Sequence, residues 1–246
     1  MTQVPAQAWD TIWARWASVW ETRPPEPAVV DLVARLKGEG RRRVHDLGCG
    51  LGRHLVFLAA EGLAASASDI SPVAVRECRQ RLRQAGLAAD VALSDMAHFQ
   101  ADDGSLDAII AWDILYHGTL ADVKEAMTAV HRKLAPGGYL LATFNSVEST
   151  SCQRSREAVA RGEAQELEPN TFVVPGDTDI DKELPHHYTT AGELRQELLA
   201  GFQVLSLTRY RSPKYERGGK THQRVLWHLL ARKTEEQTSP SSRVQA

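Results

Sequence analysis

Basic excess is the first thing this chain lacks. Its 29 Lys and Arg are matched by 31 Asp and Glu, so the net charge over 246 residues is −2 and no field of either sign extends from the protein as a whole. General nucleic-acid binding and adhesion to an anionic membrane both rest on such an excess, so no stable nucleic-acid partner and no membrane association are expected. Cysteine is scarce as well. Cys49, Cys78 and Cys152 are odd in number and far apart, which fits neither a disulfide framework nor a paired zinc motif. Reduced thiols and no bound metal are the expectation. Long apolar runs are missing: Asp10, Arg15, Glu21 and Arg23 interrupt the start, so no signal peptide or membrane span is legible and a cytoplasmic location is expected. There is no internal repeat. What remains, 43% hydrophobic and 24% charged residues, is the balance of a soluble globular protein with enough chain for one large core. A single domain over 1–233 is predicted, followed by a polar, disordered tail, 234–246.

Hydrophobic periodicity divides that domain. Trp9, Trp13, Trp16 and Trp20 fall at steps of four, three and four with Ile12 between them, which puts the rings on one face of a helix that Pro24, Pro25 and Pro27 terminate. A second helix, 28–37, is apolar at Val29, Leu32, Val33 and Leu36, and residues 1–40 together read as an N-terminal helical cap. Strand 43–47, a glycine-rich turn and a helix carrying Leu55, Leu58 and Ala59 then open a βαβ unit. Strands 64–68, 89–93, 107–112 and 139–144 follow, with helices predicted at 72–85 and 121–134, which implies parallel strands covered on both faces. Segment 146–187 breaks the rhythm, being polar and turn-rich, and reads as an inserted cap with some helix of its own. After a helix at 190–199, strands 203–209 and 223–231 flank Gly218-Gly219 with no room for a crossover helix, so they are predicted to pair as an antiparallel hairpin. The expected fold class is α/β: a Rossmann-like, seven-stranded, mainly parallel sheet with helices on both faces and a terminal hairpin.

Chemistry concentrates in Asp46-Leu47-Gly48-Cys49-Gly50-Leu51-Gly52, between the first strand and its helix. Glycines there allow a tight turn and let backbone approach a ligand, and the amides at the helix start favour an anionic group. The third glycine comes one residue too early for a dinucleotide fingerprint. An acid at Asp46 would repel a pyrophosphate yet suit the ammonium of an amino-acid moiety, which points to S-adenosylmethionine rather than a nicotinamide cofactor. Asp69 ends the second strand about 20 residues on, where an acid binds ribose hydroxyls; Asp95, beside Met96, ends the third and is placed to accept from an adenine amine. Taken singly, Asp69 and Asp95 read equally as helix-capping or solvated loop acids.

These pieces, with Asp69-Ile70-Ser71, residues 107–117 and the run Leu134-Ala135-Pro136-Gly137-Gly138-Tyr139-Leu140, resemble class I S-adenosylmethionine-dependent methyltransferases of the small-molecule type. The resemblance spans roughly 44–144 and the terminal hairpin. It implies that Asp46, Gly48 and Gly50 hold the methionine part, Asp69 and Ile70 the ribose, and Asp95 and Met96 the adenine, with backbone at Ala111 or Trp112 against the methionyl group. The family it names is specific for the cofactor and says little of the acceptor.

Asp113, Tyr116 and His117 follow the fourth strand, where the transferred methyl would emerge, and are the catalytic candidates; His117 is either a general base or a loop residue. Trp16 and Trp20 of the aromatic stripe, and His187 and Tyr188 at the end of the insertion, are the candidates for acceptor binding, although an amphipathic helix packing its apolar face explains the stripe as well. Cys49 reads as a small packing residue rather than a nucleophile. The insertion is acidic and the hairpin basic, at Arg209, Arg211, Lys214, Arg217, Lys220 and Arg224. The leading expectation is methyl transfer to a small molecule; RNA or protein methylation and a non-enzymatic cofactor-binding module are the alternatives.

Overall fold

The computed structural model describes residues 6–20, 23–175, 183–217 and 219–235, with the side chains of 15–20, 217 and 220 outside that description. Two helices, α1 (Ala6–Trp20) and α2 (Pro27–Gly38), precede β1 (Arg43–Leu47), α3 (Arg53–Ala60), β2 (Ala64–Asp69), α4 (Pro72–Gln84), β3 (Asp90–Leu93), β4 (Leu106–Ala111), α5 (Leu120–Lys133) and β5 (Leu134–Asn145). There follow α6 (Thr150–Ala160), β6 (Gln165–Glu168), β7 (Thr171–Val173), β8 (His186–His187), α7 (Ala191–Glu193, continuing as a π turn over Leu194–Leu198), β9 (Phe202–Arg211), β10 (Tyr215–Arg217), β11 (Lys220–His222) and β12 (Val225–Lys233). Seven strands form one sheet in the order β3-β2-β1-β4-β5-β12-β9, parallel throughout except for β12, which runs antiparallel to both neighbours. This is the predicted doubly covered sheet with its terminal hairpin. Among the described residues no helix is long and apolar enough to cross a membrane.

Why the chain folds this way is clearest at the centre. Every residue of β4 is buried, as a parallel strand with both faces covered requires. Ile109 and Ala111 turn toward α5 and the π turn, Ala108 and Ile110 toward α2 and α3, giving two core layers around one sheet. A third cluster joins α3 and α4 over β2 and β3 through Leu55, Ala67, Val75, Cys78 and Val91. Helix α4 starts where Ser71 caps it, accepting from the Ala74 amide at 3.1 Å, with Pro72 in its first turn. Strand β5 begins five residues earlier than its apolar pattern suggested. The Pro136-Gly137-Gly138 turn lies inside it, absorbed by a register shift opposite Leu106 and Ala108, and a β-carbon on Gly138 would stand 2.9 Å from the Ala135 carbonyl oxygen.

The insertion holds the predicted helix, α6, and also a three-stranded sheet, β6-β7-β8, that the sequence did not announce. A short ribbon, β10-β11, extends the connection between β9 and β12. The polar tail after residue 235 and part of the insertion lie outside the described residues.

At the far edge of the sheet, away from the strands' carboxyl ends, Asp107 gathers the start of β1. Its Oδ2 accepts from the Arg42 and Arg43 amides at 3.0 and 2.9 Å, and its Oδ1 from the Arg43 guanidinium at 2.9 Å. Burial pushes this carboxyl upward, but the hydrogen bonds and charge of Arg43 outweigh it and its pKa falls to about 2. A depressed folded-state pKa contributes stability that is present above the unfolded value near 4 and lost as pH falls toward 2. Asp107→Ala is therefore expected to lower stability by about 2 kcal/mol at pH 7, the scale of lost hydrogen bonds to a charged group, with the gap to wild type closing at pH 2–3; urea unfolding at both pH values checks it.

Candidate functional site

The carboxyl ends of β1, β2, β3 and β4 open on a cavity of about 850 Å³, inside the size range of small-molecule pockets. Its wall contains Gly48, Asp69, Ile70, Asp95, Met96, Asp113 and His117, so seven of the sequence candidates converge there from four loops. The roof is α1, through Ala6, Trp9 and Trp13.

The glycine turn is shaped by its lack of side chains. Gly48 and Gly50 have φ of +68° and +52°, in the left-handed region that favours glycine. A β-carbon on Gly48 would lie 2.1 Å from Ile114 Cδ1, and one on Gly50 would lie 2.6 Å from the Trp13 ring. The amides of Gly48 and Cys49 donate to the Ser68 carbonyl at 2.8 and 3.0 Å, folding the turn over the end of β2. Asp46, at 2% exposure, stands below it with His54 Nδ1 3.8 Å from Oδ1, while Oδ2 has no hydrogen-bond partner among the described residues. A buried carboxylate oxygen left in this state is a strong acceptor awaiting a cationic donor, which fits the ammonium group inferred from the sequence.

Asp69 is built into the same turn. Oδ2 accepts from the Gly50 amide at 2.8 Å and Oδ1 from the Ser71 amide at 2.9 Å, leaving each oxygen a second lone pair for the cavity. Burial pushes its pKa up to about 6, the backbone amides of Ser71, Gly50 and Ile70 opposing and the nearby Asp46 carboxylate reinforcing the shift. Asp95 closes the third loop, accepting from the Ala97 and His98 amides, each at 2.9 Å, and from His98 Nδ1. Partial burial favours the neutral acid, but these donors hold the pKa below the usual value.

After β4 the backbone turns sharply at Asp113, whose φ of 59° is rare for a residue with a side chain. Three contacts hold it there: the Asp113 amide donates to Thr143 Oγ1 at 2.8 Å, His117 Nε2 to the Asp113 carbonyl at 3.1 Å, and Arg224 Nη2 to Asp113 Oδ1 at 2.7 Å. The Arg224 guanidinium overcomes burial and keeps Asp113 ionised, and Asp113 raises Arg224 in return. Tyr116 is 5% exposed, with its hydroxyl accepting from the same guanidinium at 3.2 Å. The His117 ring meets Trp9 edge-on at 4.6 Å and His186 at 4.7 Å. Arg224 was the residue missed here: it lies 111 positions from Asp113, and nothing local to either marks the pair.

Other candidates stand elsewhere. Ala111 and Trp112 end β4 outside the cavity wall, Ala111 wholly buried and Trp112 edge-on to His228 at 4.9 Å. His187 and Tyr188 were expected to reach the acceptor, but both are fully buried. His187 bonds Thr171 Oγ1 at 2.7 Å and Glu193 Oε2 at 3.1 Å, and Tyr188 packs on Phe172 inside the insertion. No described residue of the insertion lines the cavity; its contribution is His186, behind His117. The side chains of Trp16 and Trp20 lie outside the described residues, while Trp9 and Trp13 of the same stripe form the roof. Cys49 is buried, and the neighbouring Cys78 thiol followed by burial pushes its pKa up, the opposite of a nucleophile's environment.

Residues 44–138 match the methyltransferase domain family. The chain is 30% identical over 110 residues to nodulation protein S of Rhizobium tropici, covering 44% of each chain, and 30% identical over 131 residues to methyltransferase GfsG of Streptomyces halstedii, covering 47% of this chain and 46% of that one. It thus spans about half the length of the curated relatives it matches. Among solved structures, magnesium protoporphyrin IX methyltransferase from Synechocystis with bound S-adenosylhomocysteine superposes with a TM-score of 0.66 at 18% identity, over 93% of this chain and 97% of that one, and shares its fold.

Proposed function

On the premise that this chain is built on a class I S-adenosylmethionine-dependent methyltransferase domain, we propose that the protein transfers the methyl group to a small-molecule acceptor. The observation that carries this reading is the roofed cavity: Trp9 and Trp13 close over the carboxyl ends of the strands, and an extended polymer needs an open groove there instead. Magnesium protoporphyrin IX methyltransferase, which shares the fold, is named for a small-molecule acceptor and supports this reading.

When bound, S-adenosylmethionine supplies an activated methyl group on its sulfonium. The chain's own residues do the rest. Asp46 Oδ2 would receive the ammonium, Gly48 and Gly50 would leave room for the methionyl part, Asp69 and Ile70 would hold the ribose, and Asp95 and Met96 the adenine edge. Asp113, kept ionised by Arg224, and Tyr116, bonded to the same guanidinium, fix the loop after β4 rather than exchange protons. His117 has its Nε2 proton committed to the Asp113 carbonyl, and its ring shapes the acceptor space against Trp9. Catalysis of this kind rests on positioning, with no base required for a thiolate or amine acceptor. The N-terminal cap, on this reading, is the lid, and the insertion supports the wall from outside.

The test is turnover of labelled S-adenosylmethionine against a panel of small amines, phenols, thiols and carboxylates, beside RNA and protein substrates. His117→Ala is expected to lower turnover of the accepted compound at least tenfold while S-adenosylhomocysteine affinity changes less than threefold. The RNA alternative also meets an obstacle in the basic hairpin, because Arg209 and Arg211 both pair with Glu148 and Arg224 with Asp113. Fluorescence anisotropy is expected to show only weak, non-specific RNA binding at physiological salt. Tight, salt-resistant binding, lost when Lys214 and Arg217 are both changed to alanine, would promote the RNA reading.

A further inference from the structure

Helix α1 roofs the cavity through Trp9 and Trp13, and between these two rings it carries a carboxylate that turns away from the cavity to the start of α4. Trp9 meets His117, Trp13 lies over Gly50, and between them Asp10 Oδ1 accepts from the Ser71 hydroxyl at 2.5 Å and from the Val73 amide at 3.1 Å. Both donors belong to the start of α4, where unpaired amides and the helix dipole favour a negative charge. Ser71 is fully buried and its bonding is complete: the hydroxyl donates to Asp10, its oxygen accepts from the Ala74 amide, and its own amide donates to Asp69 Oδ1. Asp69 in turn accepts from the Gly50 amide. An unbroken hydrogen-bonded chain therefore runs from the roof helix through Ser71 to the ribose acid and the glycine turn.

We propose that Asp10 is a positioning residue that latches α1 to the α4 start and thereby sets how long the cofactor is retained, an inference that rests on the methyltransferase reading of the cavity above. A cofactor lying under α1 leaves only when that helix lifts, and lifting it breaks both Asp10 bonds. Asp10 does not line the cavity; it acts through Ser71 and through the placement of Trp9 and Trp13. Thr11, next in the chain, is exposed and its hydroxyl donates within α1, to the Gln7 carbonyl, so it serves as the neutral neighbour.

The experiment measures S-adenosylhomocysteine dissociation by stopped flow and Kd by calorimetry for wild type, Asp10→Ala, Asp10→Asn and Thr11→Ala. Asp10→Ala is expected to release the ligand about tenfold faster and to bind it several-fold more weakly, as loss of hydrogen bonds to a charged group implies. Asp10→Asn, which keeps a carbonyl acceptor, is expected within threefold of wild type, and Thr11→Ala to match it. Hydrogen exchange gives a second readout: with ligand bound, the α1 amides exchange faster in Asp10→Ala than in wild type. A melting temperature lowered in Asp10→Ala with release and exchange unchanged overturns the latch, because that pattern is a purely structural contact. Failure of the wild type to bind S-adenosylhomocysteine overturns the cofactor reading, and the latch with it.

Discussion

Gly50→Val is expected to remove measurable S-adenosylhomocysteine binding, raising Kd by at least about a hundredfold, while leaving the sheet folded. Two costs add at this position. The left-handed backbone, with φ of +52°, is unfavourable by about 1–2 kcal/mol for a residue with a β-carbon, more so when that carbon is branched. The new β-carbon would also stand 2.6 Å from the Trp13 ring, so the roof must shift. Both costs fall on the ligand site: what yields is the end of a side chain on a peripheral helix, not the layers around β4. Adding Trp13→Ala relieves the ring contact but leaves the backbone strain, so the double variant is expected to regain little. Calorimetric titration beside far-ultraviolet circular dichroism separates lost binding from lost structure. Wild-type affinity in the folded single variant would sink the assignment of the turn to the cofactor.

How far the sequence carried this site depended on whether a signal was local. The sheet was legible because its signals are short-range: the apolar run of β4, the glycine turn, Ser71 and Pro72 opening α4, and a final connection too short for a crossover. The acids at Asp46, Asp69 and Asp95 were legible for a related reason, since strand ends in a parallel sheet share one edge and place them together without further information. The three-stranded sheet of the insertion was not. Its strands have four, three and two residues, and Phe172 pairs with His186 across a segment with no periodicity. The same burial took His187 and Tyr188 out of the cavity wall, Tyr188 into the insertion's core beside Phe172 and Cys152 and His187 between Thr171 and Glu193. Of the tryptophan stripe, Trp9 and Trp13 share the face that roofs the cavity, while the side chains of Trp16 and Trp20, the two chosen from the sequence, lie outside the described residues. The Asp10 contact was not legible either, because its partners Ser71 and Val73 lie 61 and 63 positions away and no local pattern marks them.

Asp69→Ala is expected to weaken S-adenosylhomocysteine binding by one to two orders of magnitude, since a carboxylate accepting two ribose hydroxyls contributes roughly 1.5–3 kcal/mol. The pH dependence makes the assignment sharper. Burial has pushed this pKa up to about 6, so the group is ionised at pH 8 and mostly protonated at pH 5. Wild-type affinity should therefore fall about tenfold as pH drops between those values, because the proton occupies a lone pair the ribose would use. The stability of the ligand-free protein should respond in the opposite sense. A raised folded-state pKa contributes stability that is fully present below the unfolded value near 4 and lost as pH rises through 6, whereas the Asp107 contribution is lost on acidification below 4. Asp69→Asn retains one carbonyl acceptor for the turn amides but cannot titrate, so its Kd should be weaker than wild type at pH 8 and flat from pH 8 to pH 5. A wild-type Kd that is itself flat across that interval, or an Asp69→Asn protein that keeps the wild-type slope, would assign the ribose to another group.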